Sequence, residues 1–347
     1  MYKLDKIFRT AVQYKASDIY VATGVKPTLR INGDLIRIEE HALLTKKIAE
    51  EYLLEIMTPE QKKLFEKTLD LDFSIDIENI CRFRVSMFVQ RKGISAVFRL
   101  IPETVMSMDE LGLPAQMKKA IKYHNGLVIV TGPTGSGKTT TMASMVHELN
   151  KNSKKHIITI EDPIEYVHKD IQSVIQQREV GTNTHSFGRA LKSSLRESPD
   201  VVLLGEMRDL ETMQQAITAA ETGHLVLTTL HTSGCANSIN RIIDAFPSEQ
   251  QNQIRSQLAE SLRAVFWQSL IKTKDEKGRI AAFEIMFVNN AIANMIRKGT
   301  THQVNSVIET STKEGMQTMK KAVTDLFQAN LISEEKALEN IPKEFES

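Results

Sequence analysis

Apolar side chains in the first forty residues change from a helical to an alternating period. Residues 4–12 carry apolar side chains every three or four positions, which predicts an amphipathic helix. The alternation that follows predicts three short strands, at 19–24, 28–31 and 34–38. Asn32-Gly33 separates the last two and is the strongest short hairpin signal. The chain is therefore expected to open as a mixed α/β domain.

The rest of the first hundred residues continues that mixture. Two helices are predicted next, and the apolar face of the first is Ile48, Tyr52, Leu53 and Ile56. Thr58 is the expected N-cap of the second, with Pro59 at its first position and Gln61 at its third. Alternation then returns in two strands whose apolar faces are predicted to be Leu71, Phe73, Ile75 and Ile77 in one, and Phe83, Val85 and Met87 in the other.

A second domain is predicted after residue 114. The stretch 101–114 has a proline near each end and is interpreted as a linker between an N-terminal domain at 1–100 and a domain at 115–347. Beyond it, apolar β-rich runs alternate with helical patterns, which is typical of a mostly parallel sheet with crossover helices. From about Gln250 onward the pattern is interpreted as mostly helical.

Composition limits the classes of partner. The 347 residues are 41% hydrophobic and carry a formal net charge of +1, so no bulk charge favours nucleic acid or an anionic membrane. Cys81 and Cys235 form no CxxC pair, which argues against a disulfide framework or a thiolate zinc site and suits a reducing cytoplasm. No apolar run approaches the ~20 residues needed to cross a bilayer. We expect no nucleic-acid binding and no direct membrane insertion.

The strongest chemical signal is GLVIVTGPTGSGKTTT. A buried-strand pattern at 127–130 precedes a G-x-x-x-x-G-K-T loop, and a helical pattern follows, which is the context that a phosphate-binding P-loop requires. Backbone N–H groups and the helix N-terminus can bind ATP phosphates, Lys138 can reach the β- and γ-phosphates, and Thr139 can offer a hydroxyl to Mg²⁺. The predicted nucleotide contacts are Gly132, Pro133, Thr134, Gly135, Ser136, Gly137, Lys138, Thr139 and Thr140.

Two acidic clusters follow the loop. HIITIEDPIEY ends a strand-like run with Glu161, Asp162 and Glu165, and DVVLLGEMRD places Glu206 just after a second one. Because ligands of open α/β sheets bind at the carboxyl ends of strands, both clusters are candidates for organising Mg²⁺ and the attacking water.

Histidines flank a third strand pattern in ETGHLVLTTLHTS. His224 precedes the apolar run and His231 follows it. Spacing alone leaves two interpretations open: structural histidines, which are the commoner case, or groups that respond to the γ-phosphate.

Four segments together resemble a known family. GPTGSGKTTT, TIEDPIEYVH, LRESPDVVLLGEMRD and ETGHLVLTTLHT are similar, in order and spacing, to the Walker A, Asp box, Walker B and His box of the type II/type IV secretion ATPases. Further blocks such as CRFRVSMFVQRKG and INRIIDAFP extend the similarity over nearly the whole chain, and the retraction (twitching-motility) ATPases of type IV pili are the most similar branch.

That resemblance implies a PAS-like N-terminal domain and a RecA-like motor domain, assembled as a homohexameric ring in the cytoplasm. It implies that Glu206 is the Walker B acid near Mg²⁺, that Glu165 activates water, and that His224 and His231 couple to the nucleotide. It also directs attention to arginines of the N-terminal domain as fingers that could reach a γ-phosphate. The candidates are Arg82, Arg84, Arg91 and Arg99.

The branch also implies partners and a place. We expect a motor at the inner-membrane base of the pilus, acting on a platform protein there and alongside related pilus ATPases. Two alternatives stay open: an accessory pilus ATPase, and a nucleotide-gated assembly factor with little turnover. Residues 291–298 read AIANMIRK where retraction ATPases typically have AIRNLIRE, so Ala293 and Lys298 depart from the pattern, as does Phe283 in place of a histidine.

Overall fold

The computed structural model describes residues 2–31, 33–101 and 104–341. Asn32 of the predicted hairpin turn, Pro102 and Glu103 of the predicted linker and the last six residues lie outside the described residues. The chain divides into two compact units, one of residues 1–104 with 163–167, the other of residues 105–162 with 168–347. The short segment 163–167 thus belongs to the first unit although the second unit surrounds it in sequence.

The first unit is a six-stranded antiparallel sheet with three helices, in the strand order β3-β2-β1-β6-β5-β4. Its strands are β1 Asp18–Ala22, β2 Thr28–Ile31, β3 Asp34–Arg37, β4 Asp70–Ile77, β5 Cys81–Gln90 and β6 Gly93–Ile101. Its helices are α1 Asp5–Gln13, α2 Lys46–Glu55 and α3 Pro59–Thr68.

Aromatic side chains form the centre of this unit's core. Phe8 of α1 packs on Phe83 of β5 and Phe98 of β6, with ring centroids 4.4 and 5.1 Å apart. The predicted helix start is confirmed, because the Thr58 Oγ1 accepts from the Gln61 N–H at 3.2 Å and the Gln61 side chain accepts from the Thr58 N–H at 2.9 Å. Alternation along β5 buries Phe83, Val85 and Met87 and leaves Arg82 and Arg84 on the other face, as the pattern predicts.

The second unit is built on a seven-stranded sheet, in the order β13-β12-β7-β11-β10-β8-β9. Every neighbouring pair is parallel except β12 with β13. The strands are β7 Gly126–Thr131, β8 His156–Glu161, β9 Val174–Glu179, β10 Val201–Leu204, β11 Leu225–Leu230, β12 Leu262–Lys272 and β13 Arg279–Phe287. The central strands β7, β10 and β11 are buried at every position, which explains why they are continuous apolar runs.

The helices of this unit cover both faces of the sheet, and a 3₁₀ helix, Ala115–Lys122, precedes the first of them. They are α4 Lys138–Asn152, α5 Phe187–Ser194, α6 Leu210–Glu221, α7 Cys235–Asp244, α8 Ser248–Ser261, α9 Asn290–Lys298, α10 Val304–Thr310, α11 Met319–Gln328 and α12 Glu334–Asn340. No helix within the described ranges is both long and apolar enough to span a bilayer.

The mixed α/β class, the mostly parallel sheet and the mostly helical C-terminal region are confirmed, but one hairpin in that region was not predicted. The stretch expected to be helical from about Gln250 contains the antiparallel hairpin β12–β13 before the chain becomes helical again. Both strands are largely buried, and a buried strand cannot be told from a buried helix by periodicity alone.

Candidate active site

Three loops of the second unit leave the sheet at one edge. β7, β10 and β11 are parallel neighbours in register, with Leu230 beside Thr131 and Leu204 beside Thr228. Their carboxyl ends therefore meet, and the loops that follow them, 132–137, 205–209 and 231–234, lie at this carboxyl edge. Ligands of open α/β sheets bind at such an edge.

The P-loop has the backbone that its glycines predict. Gly132 and Gly137 have φ angles of 150° and 87°, which side chains rarely adopt, and Gly137 forms the N-cap of α4. The Lys138 ammonium is buried within the loop and donates to the carbonyls of Gly132 and Pro133 at 2.9 and 3.0 Å. The helix N-terminus and a buried cation thus converge at one point, as an anion-binding loop requires.

The remaining residues of the loop differ in exposure. Pro133, Thr134, Gly135 and Thr139 are exposed, and Thr140 is half-buried. The Ser136 hydroxyl is buried and has no hydrogen-bond partner among the described residues, so it is able to donate to a phosphate oxygen. The geometry of the loop therefore suits a nucleotide phosphate.

Glu206 lies where the sequence predicts, two residues beyond β10. Its carboxylate is only 14% exposed and contacts Arg208 at 2.5 Å and the His231 Nε2 at 3.2 Å. The nearby carboxylate raises the pKa of Arg208 above its ordinary value. Glu206 and His231, predicted from two separate motifs, are thus brought into direct contact.

Gly205 explains how the strand can end on this carboxylate. A Cβ at Gly205 would lie 3.3 Å from the Ile160 carbonyl oxygen of β8, so a side chain would press the two strands apart. The Thr229 hydroxyl donates to the Gly205 carbonyl at 2.6 Å, and Asp209 accepts from the Thr212 N–H at 2.8 Å as the N-cap of α6. The loop that carries Glu206 is therefore held at both ends.

A chain of hydroxyl groups links the other two loops. The Thr131 Oγ1, at the end of β7, donates to the Thr232 carbonyl at 2.7 Å and accepts from the Thr232 N–H at 3.0 Å. The Thr232 hydroxyl in turn lies 2.7 Å from the Ser238 hydroxyl of α7. These bonds connect the end of the P-loop strand to the segment that carries His231.

The first acidic cluster divides between the two units. Glu161 ends β8 and is buried, where it accepts from the Thr159 hydroxyl at 2.6 Å and from the Gln177 amide at 3.2 Å. These hydrogen bonds indicate a structural role for Glu161. Glu165 belongs to the first unit, where its carboxylate lies 3.4 Å from the Arg84 guanidinium.

The four candidate arginines all lie in the first unit, and they differ in their partners. Arg82 donates to the Ser74 hydroxyl at 2.6 Å, and Arg99 donates to the Asp18 carboxylate at 3.1 Å. Arg91 follows β5 and is exposed. Arg84 forms an ion pair with another predicted site residue, Glu165.

The structure does not bring His224 to the carboxyl edge. It precedes β11, and six residues at roughly 3.3 Å each put it about 20 Å along the strand from His231. Its Nδ1 lies 3.1 Å from the Ala219 carbonyl oxygen. The strand therefore places the two histidines at opposite edges of the sheet, and a nucleotide-linked role for His224 stays a prediction.

Two buried polar residues of the β12–β13 hairpin were missed from the sequence. Gln268 is 2% exposed and accepts from the Thr141 hydroxyl at 2.8 Å, and Glu284 is 3% exposed and accepts from the Cys235 N–H at 2.8 Å. Both side chains form hydrogen bonds to segments that lie next to the carboxyl edge. The available signal was one amide and one carboxylate inside otherwise apolar strands, which burial makes costly without a partner.

Two of the three departures from the retraction pattern are buried and one is exposed. Ala293 is 8% exposed within α9, whose start is capped by Asn289 and whose end is Gly299 at φ 72°, so the predicted helix is confirmed. Lys298 is exposed. Phe283 is 1% exposed and pairs across the hairpin with Gln268.

Comparisons with known proteins show the family to which the chain belongs. The profile of the family described as "Type II/IV secretion system protein" matches residues 1–338. The type IV pilus retraction ATPase PilT of Pseudomonas aeruginosa is 47% identical over 332 residues, which cover 95% of this chain and 96% of PilT. The type IV pilus ATPase PilU of the same organism is 39% identical over 97% of this chain and 88% of its own. A crystal structure of the pilus retraction motor PilT with bound ADP is 40% identical, has a TM-score of 0.92, and the match covers 99% of this chain and 98% of that one.

Proposed function

Because the chain belongs to the type II/IV secretion system protein family, we propose that it is an ATP-hydrolysing motor that powers the retraction of type IV pili. The observation that carries the proposal is the similarity to PilT along nearly the full length of both chains. The P-loop and Glu206 at one sheet edge support the hydrolysis itself.

Roles in the reaction follow from the contacts. The P-loop N–H groups and Lys138 bind and orient the phosphates, and Arg208 holds the carboxylate of Glu206 in place through an ion pair. Thr139 and Glu206 offer a hydroxyl and a carboxylate at the same edge, the hard oxygen donors that Mg²⁺ prefers, and they would hold that ion. When bound, Mg²⁺ supplies positive charge against the phosphate oxygens.

Glu165 takes the role of the base that activates water in this proposal. Its carboxylate pairs with the Arg84 guanidinium at 3.4 Å, and a carboxylate is a group that can accept a proton from water. The arginines of the first unit supply charge to the γ-phosphoryl group, and His231 reports on that group through its contact with Glu206. His224 acts as a coupler from the opposite edge of the sheet.

The assembly and its place are part of the same proposal. The motor works as a homohexameric ring on the cytoplasmic side of the inner membrane, at the base of the pilus. Its partners there are a platform protein of the pilus machine and related pilus ATPases. Support comes from family membership and from the name of the relative that matches 95% of the chain.

A second candidate is an accessory pilus ATPase. The similarity to PilU along 97% of the chain and the departures of Ala293 and Lys298 from the retraction pattern favour it. An accessory ATPase differs from the retraction motor because it requires another ATPase for retraction.

Deletion of the gene separates these functions. The retraction motor predicts hyperpiliated, non-twitching cells that recover with the wild-type gene but not with Lys138→Ala. An accessory role predicts retraction in the deletion strain that weakens only under load, and unchanged pilus dynamics in every condition would contradict both. Steady-state ATP hydrolysis by the purified chain tests the enzymatic step alone, because an assembly factor would show little turnover.

A further inference from the structure

One buried amide lies directly beneath the P-loop. Gln268 belongs to β12, which is parallel to β7 and places Trp267 beside Thr131, the last residue before the loop. Gln268 is 2% exposed, and the strand around it is apolar. A polar side chain in such a position costs stability unless it is bonded, so its partner matters.

The contacts of Gln268 reach both ends of the loop. The main-chain carbonyl oxygen of Gln268 approaches Gly132 so closely that it would lie 2.3 Å from a Cβ added there. The side-chain Nε2 of Gln268 would lie 3.0 Å from a Cβ added at Gly137. Its Oε1 accepts from the Thr141 hydroxyl, in the first turn of α4, at 2.8 Å. A single residue thus touches the first and last glycines of the loop and the helix that follows.

We propose that Gln268 is a positioning residue that holds the P-loop in its phosphate-binding geometry. Glycine-rich backbone has many accessible conformations, so contacts from a rigid strand reduce the entropy that the loop loses when phosphates bind. The backbone contact fixes Gly132, while the side chain fixes Gly137 and α4. This inference rests on the proposed ATPase function.

The Thr141–Gln268 bond allows stability and positioning to be measured separately. Thr141 is 1% exposed, so removing only one partner leaves the other buried and unsatisfied, which destabilises the fold. Removing both leaves no such group, and stability should largely return. A residue that only fills space would let nucleotide binding return as well.

The test uses the full chain with Gln268→Met, Thr141→Val and the double variant. Urea unfolding gives stability, and titration with ADP and a slowly hydrolysed ATP analogue gives affinity. We expect both single variants to be destabilised and the double variant to recover stability. We expect ADP and analogue binding to be about tenfold weaker in Gln268→Met and in the double variant, with a matching rise in the KM for ATP.

Ser269→Ala is the matched control. Ser269 is the next residue of β12, and its hydroxyl bonds to Asn340, remote in sequence from the P-loop, so affinity should equal that of the wild type. Recovery of wild-type affinity in the double variant, or unchanged affinity in Gln268→Met, would overturn the proposal. ATP turnover by the wild-type chain, measured in the same series, tests the proposed function independently. A wild-type chain without turnover would contradict that function whatever the variants show.

Discussion

The two edges of the seven-stranded sheet carry different chemistry although the same strands form both. At the carboxyl edge, Lys138, Glu206 and His231 converge on loops that follow three adjacent strands. At the amino edge, His224 bonds to the backbone carbonyl of Ala219, and Glu221 accepts from the Gln257 amide. Charged side chains and glycines with positive φ angles lie at the carboxyl edge, whereas these polar groups of the amino edge form local hydrogen bonds.

This difference separates a site from a strand end. Polar residues next to buried strands are common, and they need no functional explanation where each is bonded locally. The carboxyl edge differs because the Ser136 hydroxyl is buried without a partner among the described residues and a lysine ammonium is enclosed by the loop. The following variants compare the edges, beginning with the largest expected effect.

Lys138→Ala should abolish measurable binding of ATP and ADP. The ammonium is the buried cation of the P-loop, and loss of charge-assisted bonds to phosphate should weaken affinity by at least about a hundredfold. Isothermal titration measures this. Lys151→Ala, at the exposed far end of the same helix, is the control, and equal losses in both variants would contradict a local role.

Glu206→Gln should lower kcat by about a hundredfold while nucleotide affinity changes little, because the carboxylate acts on the reacting phosphate and its ion. The charge is lost but the shape is kept. Steady-state kinetics with the purified full chain gives the value. Glu221→Gln, near the amino edge, should keep the wild-type kcat. A comparable loss of kcat in that variant would contradict the claim that the two edges differ in function.

His231→Gln should lower kcat by about tenfold, since the ring contacts the Glu206 carboxylate. His224→Gln should leave the affinity for ADP within about twofold of the wild type, whatever it does to turnover, because its ring lies about 20 Å along β11 from the carboxyl edge. ADP titration of both variants checks this. Weak binding in His224→Gln would show that this histidine acts on the nucleotide directly.

The smallest expected effect is a dependence of the free energy of unfolding on pH, caused by His168. Burial, and secondarily the neighbouring His147, lower the pKa of His168 from its ordinary 6.5 to about 4. The unfolded chain therefore binds a proton that the folded chain does not between those values, so the free energy of unfolding falls as pH drops through this window. Between pH 7 and pH 5.5 the loss should be about 1 kcal/mol.

Urea unfolding at a series of pH values measures that loss. His168→Gln should remove this part of the pH dependence, and the exposed His302→Gln should retain it. An identical slope in His168→Gln and the wild type would assign the pH dependence to other groups.

Sequence predicted the parts of the site that are local in the chain. The P-loop is one continuous segment, and Glu206 follows its strand directly, so spacing was sufficient. The contact of His231 with Glu206 required the order of strands in the sheet, which no single segment encodes. The β12–β13 hairpin was predicted as helical because a buried strand and a buried helix share the same apolar run, and Gln268 was therefore missed with it.

Amide hydrogen exchange of the full chain with and without Mg²⁺ and a slowly hydrolysed ATP analogue tests the central claim most directly. The account predicts slower exchange at residues 132–140 and 205–209, and unchanged exchange at 219–225. Protection that appears at 219–225 and spares 132–140 would contradict it, because the nucleotide would then bind away from the carboxyl edge.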